Sequence, residues 1–230
     1  ARMTGLMHVD EAMAGQPGQL AEIDHAFDVL GLRGIYFNVD SLSRHGWPWP
    51  LDAPEMEAFW DRIARHGILL CFEMSSGPGY DMAGYMANLT AFGRVLARHP
   101  SLRVHMAMSP PVAFFARSGR YEFPEEALAV WRHEPMVLEV MFPITYGGVW
   151  DYPYTEAQTL ISDMRNQFGA DRLIWGSDMP NIERFCTYKQ SLDYVRRYCP
   201  FLTAREKDLI LGDTCAAFYG IGKTDIRKAG

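Results

Sequence analysis

The chain of 230 residues is 48% hydrophobic and 22% charged, enough to bury one substantial core and near the size of a single α/β barrel. Its net charge of -6 argues against nucleic acid or an anionic membrane surface as partner, and no apolar run approaches the roughly 20 residues that cross a bilayer. Cys71, Cys186, Cys199 and Cys215 show no CxxC pair or metal-like spacing; with no secretory pattern at the start, they read as reduced thiols of a cytoplasmic protein.

In chain order, Met3–Val9 is the first strand candidate, and it begins almost at Ala1, which is not an initiator methionine. That abrupt start predicts an upstream segment. Leu20–Leu30 follows as a helix with Leu20, Ile23, Phe27 and Leu30 on one stripe. Gly34–Val39 is the second strand. The loop after it, SRHGWPWP, gathers Arg44, His45, Trp47 and Trp49: a cation and aromatic wall for a carboxylated substrate, or a proline-stiffened surface loop with buried tryptophans.

Pro54–His66 reads as a helix with Asp52 near its N-cap and Met56, Phe59, Trp60 and Ile63 inward. Ile68–Met74 is the third strand, Met82–Arg98 a long helix and Leu102–Met108 the fourth strand. The long connection SPPVAFFARSGRYEFPEE suits a substrate lid or an oligomer contact through Phe114, Phe115 and Tyr121. Glu125–Arg132 is a short helix and Val137–Phe142 a strand. Thr155–Phe168 is a helix with Thr155 as N-cap, and Arg172–Ser177 is the last strand. Tyr188–Tyr198 and Ala204–Tyr219 close the chain as helices, the second announced by the capping box of Thr203 and Glu206. Lys223–Gly230 reads as a frayed tail.

Apolar strands alternating with helices are the pattern of a parallel sheet covered by helices. Residues 1–222 thus read as one domain, a TIM-like (β/α) barrel. Six strands appear where a closed barrel has eight. Either two strands precede this sequence or the sheet is open, and the abrupt start favours the first. No GxGxxG, GxxxxGK[ST] or GxSxG motif is present. LIWGSDMP puts Asp178 just past the C-terminal end of the last strand, where barrel enzymes carry their chemistry. The plainer role for Asp178 is to cap the turn ahead of Pro180.

DRLIWGSDMPN resembles the R-hydrophobic-GSD-x-P signature of the amidohydrolase-related (amidohydrolase 2) family, barrel hydrolases and metal-assisted decarboxylases of small, often aromatic, acids. LGLRGIYFN, LDAPEMEAFWDRIARHGILLCFE, ARHPSLRVHMAMSP and REKDLILGDTCAAFYGI resemble further family segments in the same order. The resemblance covers the chain from Leu20; GSDMP and ILGD are its specific elements. It implies that the first strand here corresponds to the family's third, so that the family's HxH metal pair would lie upstream.

By that resemblance Asp178 is a ligand of one divalent metal, Zn or Mn, and the base for a metal-bound water, whose pKa such an ion lowers to about 7. Where the family has a ligand histidine, the third strand ends in Glu73, a carboxylate able to bind such an ion or, equally, to accept hydrogen bonds from loop amides. Where it has a second histidine stands Met108, whose thioether transfers no proton and suits hard metals poorly. His105, three residues earlier, is turned by strand alternation toward the helices. Glu139 approximates a position where the family often carries a carboxylate, on an undetermined side of its strand.

The implied function is metal-assisted hydrolysis or non-oxidative decarboxylation of a small carboxylated or cyclic substrate, with Asp178 and Glu73 as catalytic and metal residues and Arg44, His45 and Trp47 at the substrate. Two readings stand beside it: a divergent metal-free barrel enzyme, and a non-catalytic subunit or binding barrel. A homo-oligomer is the expected state.

Overall fold

A computed structural model describes residues 4–44, 46, 49–74, 81–107, 112–141 and 151–221. The chain divides into two compact units, Ala1–Ala107 with Glu125–Met136, and Met108–Pro124 with Val137–Gly230.

In the first unit, β1 (Leu6–His8), β2 (Gly34–Asn38), β3 (Leu69–Glu73) and β4 (Arg103–Ala107) pair in that order, all parallel. The helices are α1 (Pro17–Asp28), α2 (Val39–Arg44), α3 (Glu57–Arg65), α4 (Met82–Arg98) and α5 (Glu125–Trp131). Alternate strand residues make the core. Phe37 of β2 lies 5.4 Å from Phe59 and 5.8 Å from Trp60 of α3, and Phe72 of β3 stacks on Phe92 of α4 at 4.2 Å. All five rings are fully buried, as are Ile35, Leu70 and Val104 on the same strand faces. Each such side chain contributes about 1.5–3 kcal/mol on leaving water. Met56, Phe59, Trp60 and Ile63 point inward as expected, and Trp60 donates its indole N–H to the Leu51 carbonyl at 2.7 Å.

Two local expectations fail. Helix α1 ends at Asp28, so Leu30 falls beyond the stripe and is 62% exposed; Gly31, at a φ of +66°, turns the chain there. Asp52 does not cap a helix: Ala53 takes the N-cap of the Pro54–Met56 turn, with no side-chain cap. Asp52 instead accepts from Arg94 Nε at 2.5 Å, and that bond holds its carboxyl below the usual range. An arginine from α4 satisfies the carboxylate more strongly than an exposed helix amide would.

In the second unit, β7 (Met136–Met141) and β8 (Leu173–Gly176) are parallel, and β5 (Ala116–Arg117) and β6 (Arg120–Tyr121) form a small antiparallel hairpin. Ser118 and Gly119 form its tip with φ of +49° and +77°, the left-handed pair that a tight two-residue hairpin turn requires. The helices are α6 (Thr155–Phe168), α7 (Tyr188–Tyr198), α8 (Ala204–Asp208) and α9 (Thr214–Phe218), the last two joined by a π-helical turn, Leu209–Asp213.

The hairpin revises the expected lid. Phe115 is 1% exposed, edge-on to Phe123 at 5.7 Å, and Phe114 and Tyr121 are half-buried. Asp163 of α6, itself buried, accepts from Arg120 Nε at 3.0 Å and from the Tyr121 amide at 3.0 Å. The described part of the connection is therefore pinned by one carboxylate and does not present a row of open aromatics. Thr155 is not an N-cap either; Tyr154 holds that position at a φ of +62°. The capping box of Thr203 and Glu206 is present, and a second one, Thr187 with Gln190, starts α7. None of the four cysteines forms a disulfide, and among the described residues no helix is long and apolar enough to cross a membrane.

Candidate active site

Parallel register sorts the strand residues of the first unit by face. Phe37, Phe72 and Met106 align, with Phe72 packed on α4. The opposite face carries two rows: His8, Tyr36, Cys71 and His105, then Asn38, Glu73 and Ala107 at the C-terminal ends. His105 thus lies on the Glu73 face, against the expectation that it turns toward the helices. The reason is parity: β4 ends at Ala107, which aligns with Glu73, whereas Met108, taken as the inward reference, lies outside the described residues.

Around these rows the polar groups are tied down. Glu11 is 3% exposed; its Oε1 accepts from the Asn38 amide at 2.9 Å and lies 3.4 Å from His8 Nε2. The Asn38 side chain accepts from the Asp40 amide at 2.8 Å. Glu73 is buried at the end of β3. Glu11 and Tyr36 escaped the sequence reading; an acidic residue just past a strand's C-terminal end was the available signal.

In the second unit, Leu138, Val140 and Leu173 are fully buried on the face whose Trp175 donates to the Ser191 carbonyl of α7 at 3.1 Å. Glu139, Ile174 and Gly176 occupy the other face. The side of Glu139 is thereby settled: its carboxylate lies over Gly176, where an added Cβ would stand 1.4 Å from Oε1.

Asp178 follows two residues later, half-buried, at a φ of +49°. Few non-glycine residues adopt this region, aspartate more readily than most, and such residues collect at functional sites. Asn181 Nδ2 donates to Asp178 Oδ1 at 3.1 Å, and Arg184 Nη2 donates to Asn181 Oδ1 at 2.8 Å. The carboxylate is thus oriented by a short relay ending in a cation. Arg44 ends α2, whereas His45 and Trp47 lie outside the described residues; Trp49 is 46% exposed rather than buried.

The expected metal meets only part of a donor set. Glu73 and Asp178 are hard oxygen donors of the right kind. Ala107 offers nothing at the end of β4, and among the described residues no group of three or more histidine, cysteine, aspartate or glutamate side chains could hold an ion. These residues do not by themselves make a metal centre.

Parallel βα units with a carboxylate held just past the last strand define a scaffold of the (β/α) enzyme class. The chain belongs to the amidohydrolase family, whose model matches residues 2–221. No curated protein matches the sequence. Among solved structures, a probable 2-pyrone-4,6-dicarboxylic acid hydrolase from Acinetobacter baumannii, with citric acid bound, is 17% identical at a TM-score of 0.66, covering 94% of this chain and 73% of that one. A dihydroxybenzoic acid decarboxylase from a Polaromonas species, with manganese and the inhibitor 2-nitroresorcinol, is 12% identical at 0.58, covering 88% and 65%. A TIM-barrel protein from Bordetella bronchiseptica is 18% identical at 0.64, covering 94% and 67%. These likenesses identify the fold as the TIM-barrel type; the chain spans about two thirds to three quarters of these three chains.

Proposed function

We propose that the chain carries out the hydrolysis or non-oxidative decarboxylation of a small carboxylated or cyclic substrate, with Asp178 as its central catalytic residue. The observation that carries this reading is the oriented Asp178 carboxylate past the last strand, held by Asn181 in a left-handed backbone conformation. A probable 2-pyrone-4,6-dicarboxylic acid hydrolase and a dihydroxybenzoic acid decarboxylase among the similar structures support this choice of substrate class.

Asp178 is the proton-transfer group in this reading: as a general base it accepts a proton from an attacking water in hydrolysis, or, entering protonated, it gives that proton to the ring carbon as the carbon–carboxylate bond breaks and CO2 leaves. Asn181 keeps Oδ1 oriented for that exchange. Glu73 is the second carboxylate, and Arg44, His45 and Trp47 are assigned to the substrate's carboxylate and ring. One divalent ion, Zn or Mn, with Asp178 and Glu73 among its ligands, would supply a polarised water when bound. The proposed frame is a single domain over residues 1–222, in a cytoplasmic homo-oligomer.

The test is a panel of cyclic lactones and hydroxylated aromatic acids, read for both ring opening and CO2 release, with elemental analysis of the same preparation. Turnover in one readout supports the reading and selects the reaction; turnover in neither, with full occupancy of any metal found, removes it.

A further inference from the structure

Asp178 and Arg184 belong to one short stretch past β8, joined through Asn181 of the 3-10 turn Asn181–Arg184. Arg184 is exposed, yet its guanidinium is held. Nη2 donates to Asn181 Oδ1 at 2.8 Å, Nε donates more weakly to the Asn181 carbonyl at 3.4 Å, and the guanidinium carbon lies 5.7 Å from the centre of the Phe185 ring.

A guanidinium is a planar fork of N–H donors, able to grip a carboxylate side-on through Nε and one Nη or end-on through both Nη atoms. Asn181 occupies the side-on edge. The end-on edge, Nη1 with the second hydrogen of Nη2, meets no acceptor among the described residues. Arg120, Arg165 and Arg205 of the same unit each hold a carboxylate of the chain, whereas none of the described aspartates or glutamates pairs with Arg184. The neighbouring charge is the second observation. Asp178 is an anion where the chemistry is placed, so a carboxylated substrate meets repulsion there unless a cation stands beside the base. Arg184 is such a cation, linked to Asp178 by a single side chain.

We infer that Arg184 is the residue that selects carboxylated substrates, gripping one carboxylate through its end-on edge while the ring extends toward Asp178. This rests on Asp178 being the reacting group, as proposed above. A cation on a departing carboxylate would stabilise the ground state against loss of CO2, so the group held is one that stays on the product. The substrate class narrows to rings with a carboxylate that survives the reaction.

The full chain would be titrated with sodium benzoate at neutral pH and followed by calorimetry, with benzamide as the neutral isostere. Saturable binding at one site is expected, at least tenfold weaker in Arg184→Gln, with benzamide at least tenfold weaker than benzoate. Asp178→Asn is expected to bind benzoate at least twofold more tightly, because the repelling charge is gone. Arg184 contacts only Asn181 and Phe185, so Arg184→Gln is expected to keep the wild-type Tm; benzamide and Asp178→Asn probe the same contact should it not fold. No saturable binding of benzoate to the wild type, wild-type affinity in folded Arg184→Gln, equal binding of benzamide, or no gain in Asp178→Asn would overturn the assignment. Failure of the reaction itself reads differently: benzoate held through Arg184, with no turnover in the substrate panel, removes the reaction and leaves the carboxylate site standing.

Discussion

At the scale of single residues, Gly176 and Glu139 are a tightly constrained pair. The Glu139 carboxylate fills the volume that any side chain at 176 would need. Gly176→Ala is therefore expected to force Glu139 aside and lower stability by about 1–3 kcal/mol, the usual cost of overpacking. Adding Glu139→Ala should restore most of the loss, a coupling that thermal unfolding of the two single variants and the double variant would measure. The GSD motif was legible in the sequence, and its aspartate was placed correctly past the strand. The reason for its glycine was not, because it lies in a strand neighbour more than thirty residues away. His105 shows the same limit. Strand alternation is legible, but which parity faces the helices depends on register with β3, and one wrong reference residue inverted the assignment.

At the scale of elements, the strands and most helices follow from apolar spacing alone, and α4, α6 and α7 match their expected bounds. What escaped were features set by distant partners. Asp52 looked like a helix cap but is claimed by Arg94, and the aromatic connection is closed by Asp163. Asp163→Ala is expected to free the β5–β6 hairpin, raising amide hydrogen exchange at Tyr121 at least tenfold; unchanged protection would show the hairpin to be held by other means.

The capping box at α8 gives a pH dependence. Arg165 donates to Glu206 at 2.6 Å, and with the Thr203 bonds this pulls the Glu206 carboxyl down to about 2 from an ordinary 4.5. A lowered folded-state pKa stabilises above the unfolded value and is lost as pH falls through the folded one. The contribution is thus complete above about pH 4.5 and fades between there and pH 2. Glu206→Gln keeps the box without the titration, so its Tm should fall less than that of the wild type over this window. The site is partly exposed and salt-screened, which makes the effect modest.

At the scale of the whole molecule, the aromatic core of the first unit carries much of that unit's stability. Phe72 is fully buried and stacked on Phe92, so Phe72→Ala is expected to cost about 3–5 kcal/mol in urea unfolding. The family was legible from GSDMP and ILGD, and the match over residues 2–221 establishes it. Chemistry was less legible, since the sequence replaces family histidines by Glu73 and a methionine.

The central claim is that Asp178 performs the chemistry, and its most direct test is the steady-state rate of Asp178→Asn beside the wild type, on whichever lactone or aromatic acid the wild type turns over. Asparagine keeps the size and hydrogen-bonding shape while removing the base. A loss of at least a hundredfold in kcat with an unchanged Tm is the expected result; turnover within a few-fold of the wild type would contradict it.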